Sequence, residues 1–455
     1  MFGAPIMSRG VWGVDVRSLD TGEQLFELDA DRLMMPASNM KILTVAGAAE
    51  ILGWDYRFTT ALETSAPIEG GILKGDLIVR GGGDPTINSR GGRVASVLSQ
   101  WIGSIRAAGI QEIDGRIVGD DQLFDDEGLG QGWAWDYLQF GYAAPVGALQ
   151  LYENLATLSV GPALFPGEPA QVALAAGSGL RLMNRVRTTA VGEANDINYR
   201  RRLDEPVLEV SGSIPIGTPT VSRAVAVVNP TLFFAQSLKN ALVESGIRVS
   251  GPAVDMDDIA PELAAPPRER TVLASIESPP LRDVATVLMK VSQNLYAETL
   301  IKAVGAHRGG LGTYEGGLGA VRATIESWGI KRDAYVMADG SGLSRYNYVT
   351  ARTVASILEH MHEDARHREP FEAALPIAGK DGSLSTRMRR TRAEGNAIAK
   401  TGSISNVRSL SGYVRTRDGE TLVFSIIAND FVIPAATVNW ITDLAVEHLA
   451  NFTRR

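Results

Sequence analysis

Of the eight lysines in this chain, only Lys41 has a serine three residues before it, in the stretch PASNMKILT (36–44). On a helix that spacing puts two side chains on one face, a turn apart. A serine hydroxyl is a weak nucleophile and needs a neighbouring base. A lysine becomes such a base once burial or a second cation brings its pKa toward neutrality. The chemistry open to this pair is acyl transfer to Ser38, with Lys41 taking the proton. Taken alone, the pair reads more simply as a helix start followed by a solvated lysine.

Two further groupings could complete such a site. Ser292-Gln293-Asn294 is the chain's one Ser-x-Asn and falls between two helical patterns. Its hydroxyl could relay a proton to a leaving group, and its amide could orient a substrate carbonyl and the lysine. An ST-turn is the plainer alternative. Lys400-Thr401-Gly402-Ser403 ends a strand-like stretch. A strand edge carrying glycine lets a substrate lie alongside as an added strand, while the lysine and hydroxyls hold a carboxylate. Lys380-Asp381-Gly382-Ser383 is a rival for that role. It follows Pro376 in a loop-like stretch, and Asp381 would repel an anion, so Lys400 is preferred.

The elements that must position these residues are legible in outline. Residues 11–28 alternate and turn at Asp20-Thr21-Gly22, which predicts a hairpin. An apolar helix follows over 40–52, with Pro36 and Ser38 as start signals. At the far end, 397–400, 410–415 and 422–428 read as strands and 435–452 as a helix with apolar residues at helical spacing. Strands near both termini predict one sheet closed by the two ends, with the middle inserted. In the middle, 94–110 reads as a helix, 113–124 as a strand and 155–270 as β-rich. ELAAPPRER (262–270) reads as the exit linker, and helical patterns return at 281–290, 295–305, 314–328 and 351–363.

Composition bounds the rest. The 455 residues are 45% hydrophobic and 21% charged, ordinary for a soluble globular chain of two or three domains. A net charge of −8 argues against a nucleic-acid partner. With no cysteine, thiol catalysis, disulfides and Cys-ligated zinc are excluded. No apolar run approaches the ~18–20 residues of a membrane span. The start, MFGAPIMSRGVWG, lacks the cationic and apolar pattern of a signal peptide, so it reads as a cytoplasmic or a trimmed mature chain. His360 and His362 are two apart on a helix and point to different faces, so no metal site is expected there. No G-x-S-x-G elbow and no nucleotide-binding glycine motif occurs, and no cofactor is expected.

In the order Ser-x-x-Lys, Ser-x-Asn, Lys-Thr-Gly, the three groupings form the set found in class A β-lactamases and penicillin-binding proteins. The chain resembles the low-molecular-mass class C penicillin-binding proteins, a family of D-alanyl-D-alanine carboxypeptidases and endopeptidases. The long stretch between Lys41 and Ser292 is too long for a single-domain β-lactamase. KGDLIVRGGGDPT (74–86), IDGRIVGDD (113–121) and ADGSGLSRYN (338–347) look like that family's segments.

The resemblance implies an α/β (α+β) fold: a serine β-lactamase/transpeptidase-like catalytic domain over 1–60 and 272–455, its antiparallel sheet flanked by helices. Two nested inserts would follow, a β-rich one over 61–86 and 160–271 and an α/β one over 87–159. It implies Ser38 as acylated nucleophile and Lys41 as its general base, kept partly neutral by the nearby positive charge of Lys400. Ser292 would pass a proton to the leaving D-alanine, and Asn294 would hold the substrate amide and Lys41. Lys400, Thr401, Gly402 and Ser403 would receive the terminal carboxylate, and the amides of Ser38 and Ser403 would form the oxyanion hole. Trp133, Asp136, Arg345 and Ser405 would make a pocket for a zwitterionic side-chain end. The implied partners are peptidoglycan stem peptides and β-lactam antibiotics, and the implied location is the periplasm or the exterior of the cell envelope. A β-lactamase and a non-catalytic peptidoglycan sensor are the alternatives.

Overall fold

A computed structural model describes residues 2–3, 5–7, 9–259, 269–307 and 309–454. The chain divides into two compact units: Met1–Tyr56 with Gly130–Trp133 and Pro280–Arg455, and Arg57–Leu129 with Ala134–Pro279. Both mix helices and sheets, as the α/β expectation required.

The first unit is built on a five-stranded antiparallel sheet in the order Gln24–Leu28, Val11–Ser18, Thr421–Asn429, Val407–Arg415 and Ile398–Ile404. The strands near both ends of the chain pair directly, Val11 with Asn429 through Ser18 with Leu422, as the terminal hairpins predicted. Alternation sends Val14, Val16, Leu410, Phe424 and Ile426 to a face shared with Val438, Ile441 and Val446 of the helix Ala435–Asn451. The opposite face carries the helix Ala351–Glu363, whose Leu358 carbonyl accepts from the buried Tyr413 hydroxyl at 2.6 Å.

One strand runs further than expected. Ile398–Ile404 carries the whole Lys400-Thr401-Gly402-Ser403 motif inside it rather than at its end. The reason is the two-residue turn at Ser405-Asn406, with Asn406 at φ 63, which keeps Ile404 paired with Val407.

In the second unit, Leu77–Arg80 and Ile117–Asp120 run parallel in a five-stranded sheet that also takes in Thr59–Thr64, Ala253–Asp255 and Thr271–Glu277. The helices Arg93–Ala107 and Pro230–Glu244 bury Trp101, Ile105, Phe234 and Leu238 in its core. The second helix interrupts the stretch read as β-rich. Its signal was the pair Asn229-Pro230, where the Asn229 side chain accepts from Leu232 N at 2.8 Å and proline occupies the first turn. Two three-stranded sheets drawn from 155–226 enclose a separate core of Leu158, Val186, Leu208, Val210 and Val225. Because strands from 59–80 and 112–120 share sheets, we propose that the nested insert is 155–226 rather than 87–159. The Pro-rich stretch at 262–270 lies outside the described residues apart from Glu269 and Arg270. Among the described residues no helix is long and apolar enough to cross a membrane.

Candidate active site

The helix Met40–Leu52, MKILTVAGAAEIL, is apolar on nearly every side, and such a helix belongs inside. Every residue from Met40 to Ala49 is buried, with Asn294–His307, Tyr314–Ser327 and Ala351–Glu363 packed around it. Lys41, second in that helix, is therefore carried into the interior, where it is 0% exposed. Burial pushes its pKa down to about 7, against the opposing pull of the Glu298 and Asp339 carboxylates. Its Nζ donates to Ser38 Oγ at 2.9 Å, to Asn294 Oδ1 at 2.6 Å and to the Ser341 carbonyl at 2.7 Å. An ammonium has three donors, and each has an acceptor here. Desolvation, rather than the charge of Lys400, is the main cause of the lowered pKa, which corrects the expected one. The repulsion between the two cations shows on Lys400, whose pKa burial and then Lys41 hold well below the ordinary range.

Ser38 sits in the turn Ala37–Asn39 that leads into this helix. Ala37 is at φ 47, a costly conformation for an alanine that surrounding contacts must hold. Asn39 Nδ2 donates to Ser411 Oγ at 2.6 Å, and Ser409 Oγ donates to the Pro36 carbonyl at 2.7 Å, tying the turn to the sheet. Two glycines press on it. At Gly342, φ 83, a Cβ would come within 1.8 Å of the Ala37 carbonyl oxygen. At Gly402 a Cβ would stand 2.1 Å from Ser409 Oγ, 2.7 Å from the Pro36 carbonyl oxygen and 3.0 Å from Ser38 N. Gly402→Ala is accordingly expected to destabilise the fold by about 1–3 kcal/mol. It should also slow acylation of Ser38 about 10²-fold by displacing the nucleophile's turn. Thermal melting and the rate of penicillin labelling check the two effects.

Lys400 is also 0% exposed and donates to Ser292 Oγ and to the Thr401 carbonyl, both at 2.8 Å. Ser292, at φ 62, lies between the helices Leu281–Lys290 and Asn294–His307. Asn294 begins the second helix and so reaches Lys41 from its first turn. The sheet ends at Ile398–Ile404, whose outer edge pairs with Pro376 and Ile377 up to Ala399. From Lys400 onward, no described strand covers that edge, and the exposed Ser403 lies on it. An extended peptide fits there by strand addition.

The rival Lys380 is half exposed and bonded to Glu394 at 3.0 Å, and Asp381 is paired with Lys290 at 2.6 Å. Ser383 of the same stretch does join the site's rim, accepting from Thr401 Oγ1 at 2.7 Å.

Of the residues expected in a side-chain pocket, Arg345 and Ser405 meet, Arg345 Nη2 donating to the Ser405 carbonyl at 3.0 Å. Trp133 belongs to the first unit and donates its indole N–H to Asp339 Oδ2 at 2.9 Å. Asp136 belongs to the second unit, exposed on the short turn Trp135–Tyr137. His360 stacks on Trp328 with centroids 4.2 Å apart, while His362 faces Glu372 at 2.6 Å, so the two imidazoles have separate surroundings. Sequence reasoning missed Glu298, Asp339 and the Ser341 carbonyl. The signal for Glu298 was an acid within the apolar run LYAETLIKAV, which an exposed residue would not explain.

A serine hydroxyl beside a buried low-pKa amine, a second hydroxyl beside a second lysine, and an open strand edge together suit acyl transfer from an extended peptide. The relatives agree with that chemistry. The chain is 36% identical to the D-alanyl-D-alanine carboxypeptidase of Actinomadura sp. (strain R39), over 95% of this chain and 80% of that protein. It is 28% identical to D-alanyl-D-alanine carboxypeptidase DacB of Haemophilus influenzae, over 92% and 85% of the two chains. The crystal structure of penicillin binding protein 4 (dacB) from Haemophilus influenzae matches with a TM-score of 0.84 at 27% identity, covering 98% of this chain and 97% of that one. The same protein complexed with a novel β-lactam matches at 0.80 and 25% identity, over 99% and 100%. Since residues 2–450 match throughout, the chain belongs to the D-Ala-D-Ala carboxypeptidase 3 (S13) family.

Proposed function

We propose that this chain hydrolyses the terminal D-Ala-D-Ala bond of peptidoglycan stem peptides through an acyl-enzyme on Ser38, and that β-lactams acylate the same hydroxyl. The observation that carries the reading is the 2.9 Å contact from Lys41 Nζ to Ser38 Oγ, at an amine whose pKa burial brings down to about 7. Neutral Lys41 takes the Ser38 proton as Oγ bonds to the penultimate D-Ala carbonyl carbon. The amides of Ser38 and Ser403 receive the resulting oxyanion, and preorganised donors of this kind are usually the largest catalytic contribution. Ser292, bonded to Lys400, passes a proton to the leaving nitrogen; the C–N bond breaks and D-alanine departs. Water then hydrolyses the ester and restores Ser38. Lys400, Thr401 and Ser403 hold the terminal carboxylate on the open strand edge, with Gly402 admitting the close approach of the Ser38 turn. Trp133, Arg345 and Ser405, all of the first unit, serve the far end of the diamino-acid side chain. Such a substrate places the protein outside the cytoplasmic membrane.

The reading is tested by following D-alanine release from a D-Ala-D-Ala stem peptide beside the lifetime of the penicilloyl adduct. Release of D-alanine with an adduct lasting minutes is the expected pair of results. An adduct that vanishes in milliseconds would make the chain a β-lactamase. Neither release nor adduct would make it a non-catalytic peptidoglycan sensor.

A further inference from the structure

Two acceptors of the Lys41 ammonium trace back to one helix. Asn294, in the first turn of Asn294–His307, reaches Nζ directly at 2.6 Å. Glu298 stands four residues later, on the same face and one turn along. It is 0% exposed and does not touch Lys41 through any described hydrogen bond. Its Oε2 accepts from Gly340 N at 2.8 Å and its Oε1 from Ser341 N at 2.7 Å. Of the peptide units so held, Gly340–Ser341 turns its carbonyl to the helix Met40–Leu52, and Ser341, fixed by its N–H, carries the following carbonyl toward Lys41. The Ser341 carbonyl accepts from Lys41 Nζ at 2.7 Å, and the Gly340 carbonyl accepts from Thr44 Oγ1 at 2.7 Å.

The next amides of the loop are held by a second buried carboxylate. Asp339 accepts from Gly342 N and Ser344 N, each at 2.7 Å, and from Asn347 Nδ2 at 2.7 Å. Asp339, through Gly342 N, holds the peptide unit that carries the Ser341 carbonyl, and Glu298 ties the Gly340 and Ser341 amides just before it to helix Asn294–His307. A buried carboxylate is costly to keep, and burial together with Asp339 raises the pKa of Glu298 above the ordinary range, so its retention needs a reason beyond packing.

We propose that Glu298 is a positioning residue for the acylation step, holding Ser341 by its N–H so that the Ser341 carbonyl meets Lys41 Nζ and fixes the direction of that amine toward Ser38. The proposal rests on Ser38 acylation as read above. Glu298 touches neither Ser38 nor the open strand edge, so it acts on the rate of bond formation and not on ligand capture.

Glu298→Gln keeps the shape but leaves one acceptor where two N–H groups point and sets an amide donor against the other. The full chain is mixed with a chromogenic β-lactam, and the first-order acylation constant, the non-covalent dissociation constant and the end-point stoichiometry are measured separately. Glu298→Gln is expected to lower the acylation constant about tenfold or more, since small displacements of reacting groups cost up to about 10²-fold. The dissociation constant should stay within about twofold and the stoichiometry at wild type. Glu298→Asp, which keeps the charge and loses reach, should fall between the two, and carries the test alone should Glu298→Gln not fold. A wild-type acylation constant in either folded variant overturns the proposal, as does a loss confined to stoichiometry, which would mark a merely structural role. Absence of an adduct on the wild-type chain would instead sink the functional reading itself.

Discussion

Lys41→Ala is expected to slow acylation of Ser38 by about 10²–10⁴-fold, the range that a positioned general base contributes. Non-covalent capture of the β-lactam should change far less, because Lys41 spends its three donors on Ser38, Asn294 and Ser341 rather than on the open edge. The wild-type rate should also carry the lysine's titration. Only the neutral amine accepts a proton, and burial brings its pKa to about 7, with Glu298 and Asp339 opposing and Lys400 the second cation nearby. Acylation therefore climbs as pH rises through about 7 and levels off above it.

Stability responds to the same lysine with a definite sign. Its folded pKa lies below its unfolded value, so the unfolded chain binds the extra proton between about 7 and 10.5. Burial of Lys41 thus costs stability at and below about pH 7, and that cost shrinks as pH rises toward 10.5. Lys400 acts in the same direction. Chemical denaturation at pH 7 and pH 9 should show a smaller gain with pH in Lys41→Ala than in the wild-type chain.

Lys400→Ala should lower acylation about 10²-fold, and hydrolysis of carboxylate-bearing peptides should suffer at least as much. Two functions are lost together. The Ser292 hydroxyl loses the donor that fixes it at 2.8 Å, and on the proposed reading the strand edge loses the lysine that receives the carboxylate. Lys380→Ala is the control, since it removes a half-exposed lysine bonded only to Glu394 among its described partners. Its acylation rate should stay within about twofold of wild type, as for a surface ion pair. Equal losses in the two variants would mean that the carboxylate site had been assigned to the wrong Lys-x-Gly stretch.

The motifs were readable because each rests on short-range spacing: Ser38 to Lys41 is one turn, Ser292 to Asn294 is one loop, and Lys400 to Ser403 is one strand. The closing of the sheet by both ends was readable for a similar reason, since both hairpins carry their own turn signals. What stayed hidden depends on burial and on long-range partners. Lys41, though placed in an apolar helix, could still have been solvated until every residue from Met40 to Ala49 proved buried, and its low pKa followed from that position. Glu298 and the Ser341 carbonyl meet across the fold, and a backbone carbonyl leaves no mark in a sequence. Ser383, dismissed with its rival stretch, reaches the rim only because that loop folds against Thr401. The helix Pro230–Glu244 was missed because the surrounding Val and Gly content outweighed its Asn-Pro start.

The central claim is that segments from three distant parts of the chain meet around the Ser38 hydroxyl. Intact-mass analysis after penicillin treatment, with peptide mapping of the adduct, tests it most directly. The wild-type chain should gain the mass of one drug molecule, mapped to the peptide holding Ser38, and Ser38→Ala should gain none. Labelling that persists in Ser38→Ala, or an adduct mapped to another residue, would contradict it.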